Sequence, residues 1–151
     1  MRIFLLRHGE AEPHVQPDSA RPLTTRGITE TQSILTRQAA EIESVQSLWA
    51  SPYVRAQQTA NLVLETRPDL AIQTTDLLVP ESNPQRLAKA LELANVENVL
   101  LVSHQPLVGV FVDWLAGLEP GSQRLGTSAL ALIETEFLAA DCGELRWVVQ
   151  P

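Results

Sequence analysis

A chain of 151 residues suits one domain and can bury about two thirds of the surface its unfolded form exposes. Eighteen acidic against eleven basic residues give a net charge of −7, which argues against nucleic acid or an anionic membrane as partner. Cys142 is the single cysteine, so an internal disulfide is excluded, a reduced cytoplasmic chain is the natural reading, and a structural zinc site is a poor one.

Strand and helix signals then alternate. Ile3 to Leu6 is wholly apolar, the pattern of a parallel strand covered on both faces. Only these four residues intervene before Arg7-His8, too few for the core of a signal peptide, and no later run reaches the length of a membrane span. Pro13 to Pro22 reads as a loop. The spacing of Ile28, Leu35, Ala39 and Ile42 predicts one helix from about Gly27 to Glu43. Ser47 to Ala50 is a short strand. Ser51-Pro52 then supplies an N-cap and a first-turn proline for a helix to about Thr66 that buries Ala56, Ala60 and Val63. Leu70 to Thr74 reads as a strand, and Asn83-Pro84 opens a helix with Leu87, Leu91 and Ala94 on its face. Val99 to Val102 repeats the buried-strand signal. Pro106 to Leu115, apolar nearly all round, predicts a central helix. Ala129 to Thr135, then Leu145, Trp147 and Val149, alternate about a turn at Asp141-Cys142-Gly143, as an antiparallel hairpin at a sheet edge does. The sum is an α/β fold: a three-layer αβα sandwich, mostly parallel with an antiparallel edge, in one domain over 1–151. Trp49, Trp114 and Trp147 read as packing residues and His14 as a surface residue.

The chemistry lies just past the two most apolar strands, where Arg7-His8-Gly9 and Ser103-His104-Gln105 stand. In an open α/β sheet the ligand crevice lies outside the carboxyl ends of the strands. Two imidazoles meeting there beside Arg7 suit an anion, most simply a phosphoryl group. His8 is the candidate nucleophile, because a neutral imidazole attacks phosphorus and holds the phosphoryl group covalently. Gly9 lets the backbone approach closely. His104 stands where the next helix begins, a place that favours anions, although Pro106 removes one backbone donor. Arg55 falls in the first turn of its helix, where a cation opposes the helix dipole; such breaches of local rules gather at functional sites. Arg21, in the early loop, is a further cation within reach of the same anion.

Taken together, Leu6-Arg7-His8-Gly9-Glu10, Pro22-Leu23-Thr24 with Gly27, Ser51-Pro52-Tyr53-x-Arg55-Ala56-x-x-Thr59-Ala60 and Val102-Ser103-His104 resemble the histidine phosphatase superfamily, the phosphoglycerate mutase-like fold. The small size, Arg21-Pro22-Leu23-Thr24-Thr25, His104-Gln105-Pro106-Leu107-Val108-Gly109 and Thr127-Ser128-Ala129 are similar to its compact branch, the SixA-type phosphohistidine phosphatases. The resemblance implies that His8 is phosphorylated and that Arg7, Arg55 and His104 bind the phosphoryl oxygens. Two arginines and an imidazolium then replace a metal, and no cofactor is needed. The general acid of larger members has no clear counterpart. Their insertion is reduced here to Thr75 to Pro84, which leaves Glu81 and, in the early loop, Asp18 as candidates.

That gap has a chemical reading. An alkoxide needs a proton to leave, whereas a phosphohistidine imidazole protonated on its distal nitrogen leaves neutral. The expected substrate is therefore a phosphohistidine-bearing protein. The alternatives are a small phosphorylated metabolite, cleaved or isomerised by the same superfamily chemistry, and a phosphate-recognising module without catalysis. A flavodoxin-like or nucleotide-binding domain fits less well, since no glycine-rich phosphate loop follows the first strand.

Overall fold

The computed structural model describes residues 1–151. In chain order it contains β1 (Arg2–Arg7), α1 (Thr25–Arg37), the one-turn α2 (Ala39–Ile42), β2 (Ser47–Ala50), α3 (Val54–Thr66), β3 (Ile72–Thr74), α4 (Pro84–Ala94), β4 (Asn98–Ser103), α5 (Leu107–Ala116), β5 (Leu130–Thr135) and β6 (Gly143–Val149). The strands form one sheet in the order β3-β2-β4-β1-β5-β6. The first four run parallel, and β5 and β6 pair antiparallel at one side.

The apolar strands bury both faces. Ile3, Leu5, Val99 and Leu101 pack on one side with Leu87 and Leu91 of α4 and Phe111 and Leu115 of α5. Phe4, Leu6, Leu100 and Val102 pack on the other with Ile34 and Leu35 of α1 and Ala60 and Val63 of α3. Continuous apolar runs are what this requires: successive side chains enter opposite clusters, each contributing about 1.5–3 kcal/mol when fully buried. The register then sets the site. Arg7 lies opposite Ser103 in adjacent parallel strands, so the next residues, His8 and His104, emerge side by side at the carboxyl edge.

Five expectations need correction. The helix expected over residues 27–43 is two helices, because the buried stripe of α1 ends at Leu35; Gln38 turns out of helical geometry and redirects Ile42 and Val45 onto the sheet. The strand expected from Leu70 begins at Ile72, because Leu70 N–H closes a turn onto Arg67 O. α3 starts at Val54, two residues beyond the proline, with Tyr53 at its cap position, so Ser51 is free for another task. α5 is an outer-layer helix with Val110 44% exposed. Its apolar character serves the loop that folds back over it: the buried Asp113 carboxylate accepts from Gly121 N and Gln123 N and pins that loop. At the hairpin the turn occupies residues 136–142. A bulge between Leu132 and Ile133 shifts the register, so Leu145 packs with one core and Trp147 with the other.

A pair of glycines brings α1 against the segment after His8. A Cβ on Gly9 would lie 2.7 Å from the Gly27 carbonyl oxygen, and one on Gly27 would collide with the Glu10 backbone. Thr24 locks the contact, its hydroxyl accepting from Gly27 N and donating to Glu10 Oε1.

Candidate active site

The two imidazoles lie with ring centroids 4.9 Å apart. His8 Nδ1 is 2.7 Å from the Gly9 carbonyl oxygen, which can only accept, so that nitrogen carries the proton and Nε2 keeps its lone pair. Arg55 Nε donates to that Nε2 at 3.2 Å. Burial, with the nearby cations of Arg55, Arg7 and Arg21 adding to it, pushes the His8 pKa down to about 3 against the hydrogen bond to Gly9. His8 is therefore uncharged at neutral pH.

His104 is held from β2. Its Nε2 is 2.7 Å from Ser51 Oγ, and its ring sits 4.9 Å from that of Tyr53. Its Nδ1 is buried and has no partner. Burial, then His8 and Arg55, push its pKa to about 2. The expectation of an imidazolium is thus corrected for the free site: His104 is neutral and presents an unpaired ring nitrogen. With Nε2 accepting from the Ser51 hydroxyl, Nδ1 carries a hydrogen available to a phosphoryl oxygen.

The arginines divide. Arg55, 3% exposed, spans the site. Its NH1 and NH2 groups donate to the carbonyl oxygen and carboxylate of Asp18 at 2.7 and 3.1 Å, and its guanidinium carbon lies 5.0 Å from the Tyr53 ring centroid. Arg7 NH1 donates to Leu125 O at 2.8 Å, while its buried Nε is unpaired. Burial and Arg55 pull the Arg7 pKa down. Arg21 does not bond to either histidine; its Nε donates to Asp18 Oδ1 at 2.8 Å. Of the two candidate acids, Asp18 is tied into the site. Desolvation opposes its ionisation, but hydrogen bonds from Arg21 and Arg55 hold its carboxyl below the usual range. Glu81 is exposed in the turn before α4 and bonds to no site residue. His14 is exposed, and no three His, Cys, Asp or Glu side chains are grouped so as to hold a metal.

Several supports were not assigned by the sequence. Ser51 was read as a helix cap and instead fixes His104. Ser128, at φ +61°, turns its backbone N–H onto the carbonyls of Arg7 and His8 and its hydroxyl onto Thr31. Thr59 Oγ1 accepts from Gly9 N. A backbone acceptor such as Leu125 O leaves no mark in a sequence.

Two buried neutral histidines have a consequence for acid stability. Each has a folded pKa below its ordinary unfolded value near 6.5, so the unfolded chain binds more protons, and stability present above pH 6.5 is lost as pH falls. Urea unfolding followed from pH 6.5 to 4 should show the unfolding free energy falling by up to about 2.7 kcal/mol per pH unit, the slope for two protons. His8→Asn should halve it, and a wild-type slope of less than one proton would contradict the neutral pair.

Residues 3–79 match the family model of the histidine phosphatase superfamily, branch 1. The chain belongs to that superfamily. Phosphohistidine phosphatase SixA of Escherichia coli (strain K12) is 34% identical across all of this chain and 94% of its own. A SixA homolog from Haemophilus influenzae is 35% identical over 78% of each chain. Among solved structures, that of the protein histidine phosphatase SixA complexed with tungstate superimposes with a TM-score of 0.86 at 29% identity, covering 100% of this chain and 97% of that one. This member of the superfamily thus shares fold and length with proteins named for action on phosphohistidine.

Proposed function

We propose that this superfamily member is a metal-independent, cofactor-free phosphatase that removes phosphoryl groups from phosphohistidine in a protein, through a covalent phosphohistidine on His8, and that it works in the cytoplasm. One observation carries the reading: a neutral imidazole whose unprotonated Nε2 accepts only from Arg55, a contact that an incoming phosphoryl group would displace, lies in a site with two buried polar atoms that lack partners, Arg7 Nε and His104 Nδ1. An unpaired buried donor costs about 1–3 kcal/mol, and a tetrahedral oxyanion relieves both at once. The relative solved with tungstate holds such an anion.

In the first transfer the His8 Nε2 lone pair bonds to phosphorus in line with the departing group. Arg7, Arg55 and His104 spread over the phosphoryl oxygens, where charge develops. In the second, water attacks the phosphorus, the P–N bond breaks and its pair returns to Nε2. Both water protons leave in dihydrogen phosphate, and Gly9 O retains the Nδ1 proton throughout. Binding alone has no need of a nucleophile, which speaks against a non-catalytic module. A mutase must shelter its intermediate, and here Thr75 to Pro84 is spent on packing: Leu78 is buried and its carbonyl accepts from Ser103 Oγ. So short an arm leaves little chain to cover a bound substrate, which suits a phosphohistidine carried on a protein surface. The lone, exposed Cys142 fits a reducing compartment, and no helix is long and apolar enough to cross a membrane.

The test uses the whole chain in EDTA with a histidine-phosphorylated carrier protein and, separately, a serine phosphate peptide. Phosphate should be released faster from the former. A preference for the serine ester overturns the substrate assignment, and loss of activity in EDTA overturns the metal-free mechanism.

A further inference from the structure

We infer that Asp18 accepts a hydrogen bond from the distal ring nitrogen of the substrate's phosphohistidine, and so selects an imidazole over an alkoxide as leaving group. The inference rests on the phosphohistidine reading above.

Phosphoryl transfer from one histidine to another is chemically symmetric. Each imidazole, when its P–N bond is made or broken, needs a proton on the nitrogen that does not touch phosphorus. On the enzyme side the structure shows how this is arranged: Gly9 O holds the proton on His8 Nδ1. The substrate ring needs an equivalent acceptor at the open side of the site. Asp18 is the carboxylate bonded into the site, and its side chain is 59% exposed while His8 is buried. Arg55 carries the spacing. Its Nε meets His8 Nε2, where the new bond forms, and the far end of the same rigid guanidinium holds the Asp18 carboxylate and carbonyl. Attack in line sends the leaving nitrogen away from Nε2, and the proposal sets it beside the exposed carboxylate that Arg55 holds.

The charge state separates this role from that of a general acid. A carboxylate gripped by Arg21 and Arg55 is a poor proton donor and a good partner for a cation. Those two bonds use two of its roughly four acceptor positions, which leaves room for a ring N–H. In the step itself the P–N bond to the substrate ring breaks and its electron pair stays on that nitrogen. The His8 lone pair forms the new P–N bond, and the distal proton stays on the ring, hydrogen-bonded to Asp18, so neutral imidazole departs. An ester or aryl oxygen leaves as an anion, and a fixed carboxylate beside it repels it.

Asp18→Asn tests this, because it keeps the size and the oxygen facing Arg55 or Arg21 and removes the charge. The readout is the ratio of kcat/KM for a phosphohistidine peptide to kcat/KM for p-nitrophenyl phosphate. We expect the ratio to fall about tenfold, a size suited to one charge-assisted hydrogen bond at a partly exposed site, and Asp18→Glu to restore part of it. Parallel losses on both substrates would mean that Asp18 only positions Arg55, and would overturn the inference. A larger loss on esters than on phosphohistidine would make Asp18 a general acid and also overturn it. Wild-type enzyme inactive on the phosphohistidine peptide would sink the functional reading itself, whereas an unchanged ratio in an enzyme that does prefer phosphohistidine sinks the role of Asp18 alone.

Discussion

His8→Ala should leave no acid-labile, base-stable phosphate on the enzyme and lower turnover of a phosphohistidine protein by about 10⁴-fold or more. The magnitude follows from what the variant keeps. Arg7, Arg55 and His104 still present their donors, so an oxyanion still binds, and the residual rate is that of water attacking a bound phosphoryl group without a preceding covalent step. What disappears is the one lone pair aimed at phosphorus, prepared by the Gly9 carbonyl at 2.7 Å and kept unprotonated by burial and neighbouring cations. The measurement is quenched-flow labelling with a phosphorylated carrier, with the labelled enzyme then split between acid and base. Phosphate that survives acid, or turnover in His8→Ala equal to that of the parent chain, removes the covalent mechanism.

His8 is legible in the sequence because two unrelated signals coincide at it. A four-residue apolar run predicts where a buried parallel strand ends, and the chemistry of Arg-His-Gly predicts what such an end does. The same coincidence marks His104. Their convergence needed the strand order, which periodicity does not contain: only with β4 directly beside β1, Arg7 opposite Ser103, do the two rings come to 4.9 Å. Arg55 was legible as an anomaly, a cation at the wrong end of a helix, and its burial explains the breach. Ser51 was misread for a physical reason. A serine before a proline is a good cap locally, but here the hydroxyl accepts from Tyr53 N outside the helix and is claimed by a tertiary neighbour, His104 just past β4. Asp18 was read as a possible acid because a sequence shows a carboxyl group and not its partners. Hydrogen bonds from two arginines favour the anionic form of the same group.

Arg55→Lys should cost about 10²–10³-fold in kcat/KM, although the charge is conserved, because the demand at this position is geometric. One planar group does three tasks: Nε lies against His8 Nε2, NH1 and NH2 hold Asp18, and the flat face stacks near Tyr53. An ammonium has one donor atom and is more strongly hydrated, so it reaches one of these partners and leaves the others unfilled. Position matters too. Arg55 is the second residue of α3, where the helix dipole disfavours a cation by about 0.3–1 kcal/mol, so nothing but its partners holds the charge there. The loss should divide between binding and chemistry. Inhibition by inorganic phosphate, which reads oxyanion binding, should weaken less than phosphoenzyme formation slows, since the contact between the guanidinium and His8 serves the chemical step. A lysine variant within about threefold of the parent rate would mean that simple positive charge suffices, and the placement of the leaving group beside Asp18 would then lose its anchor.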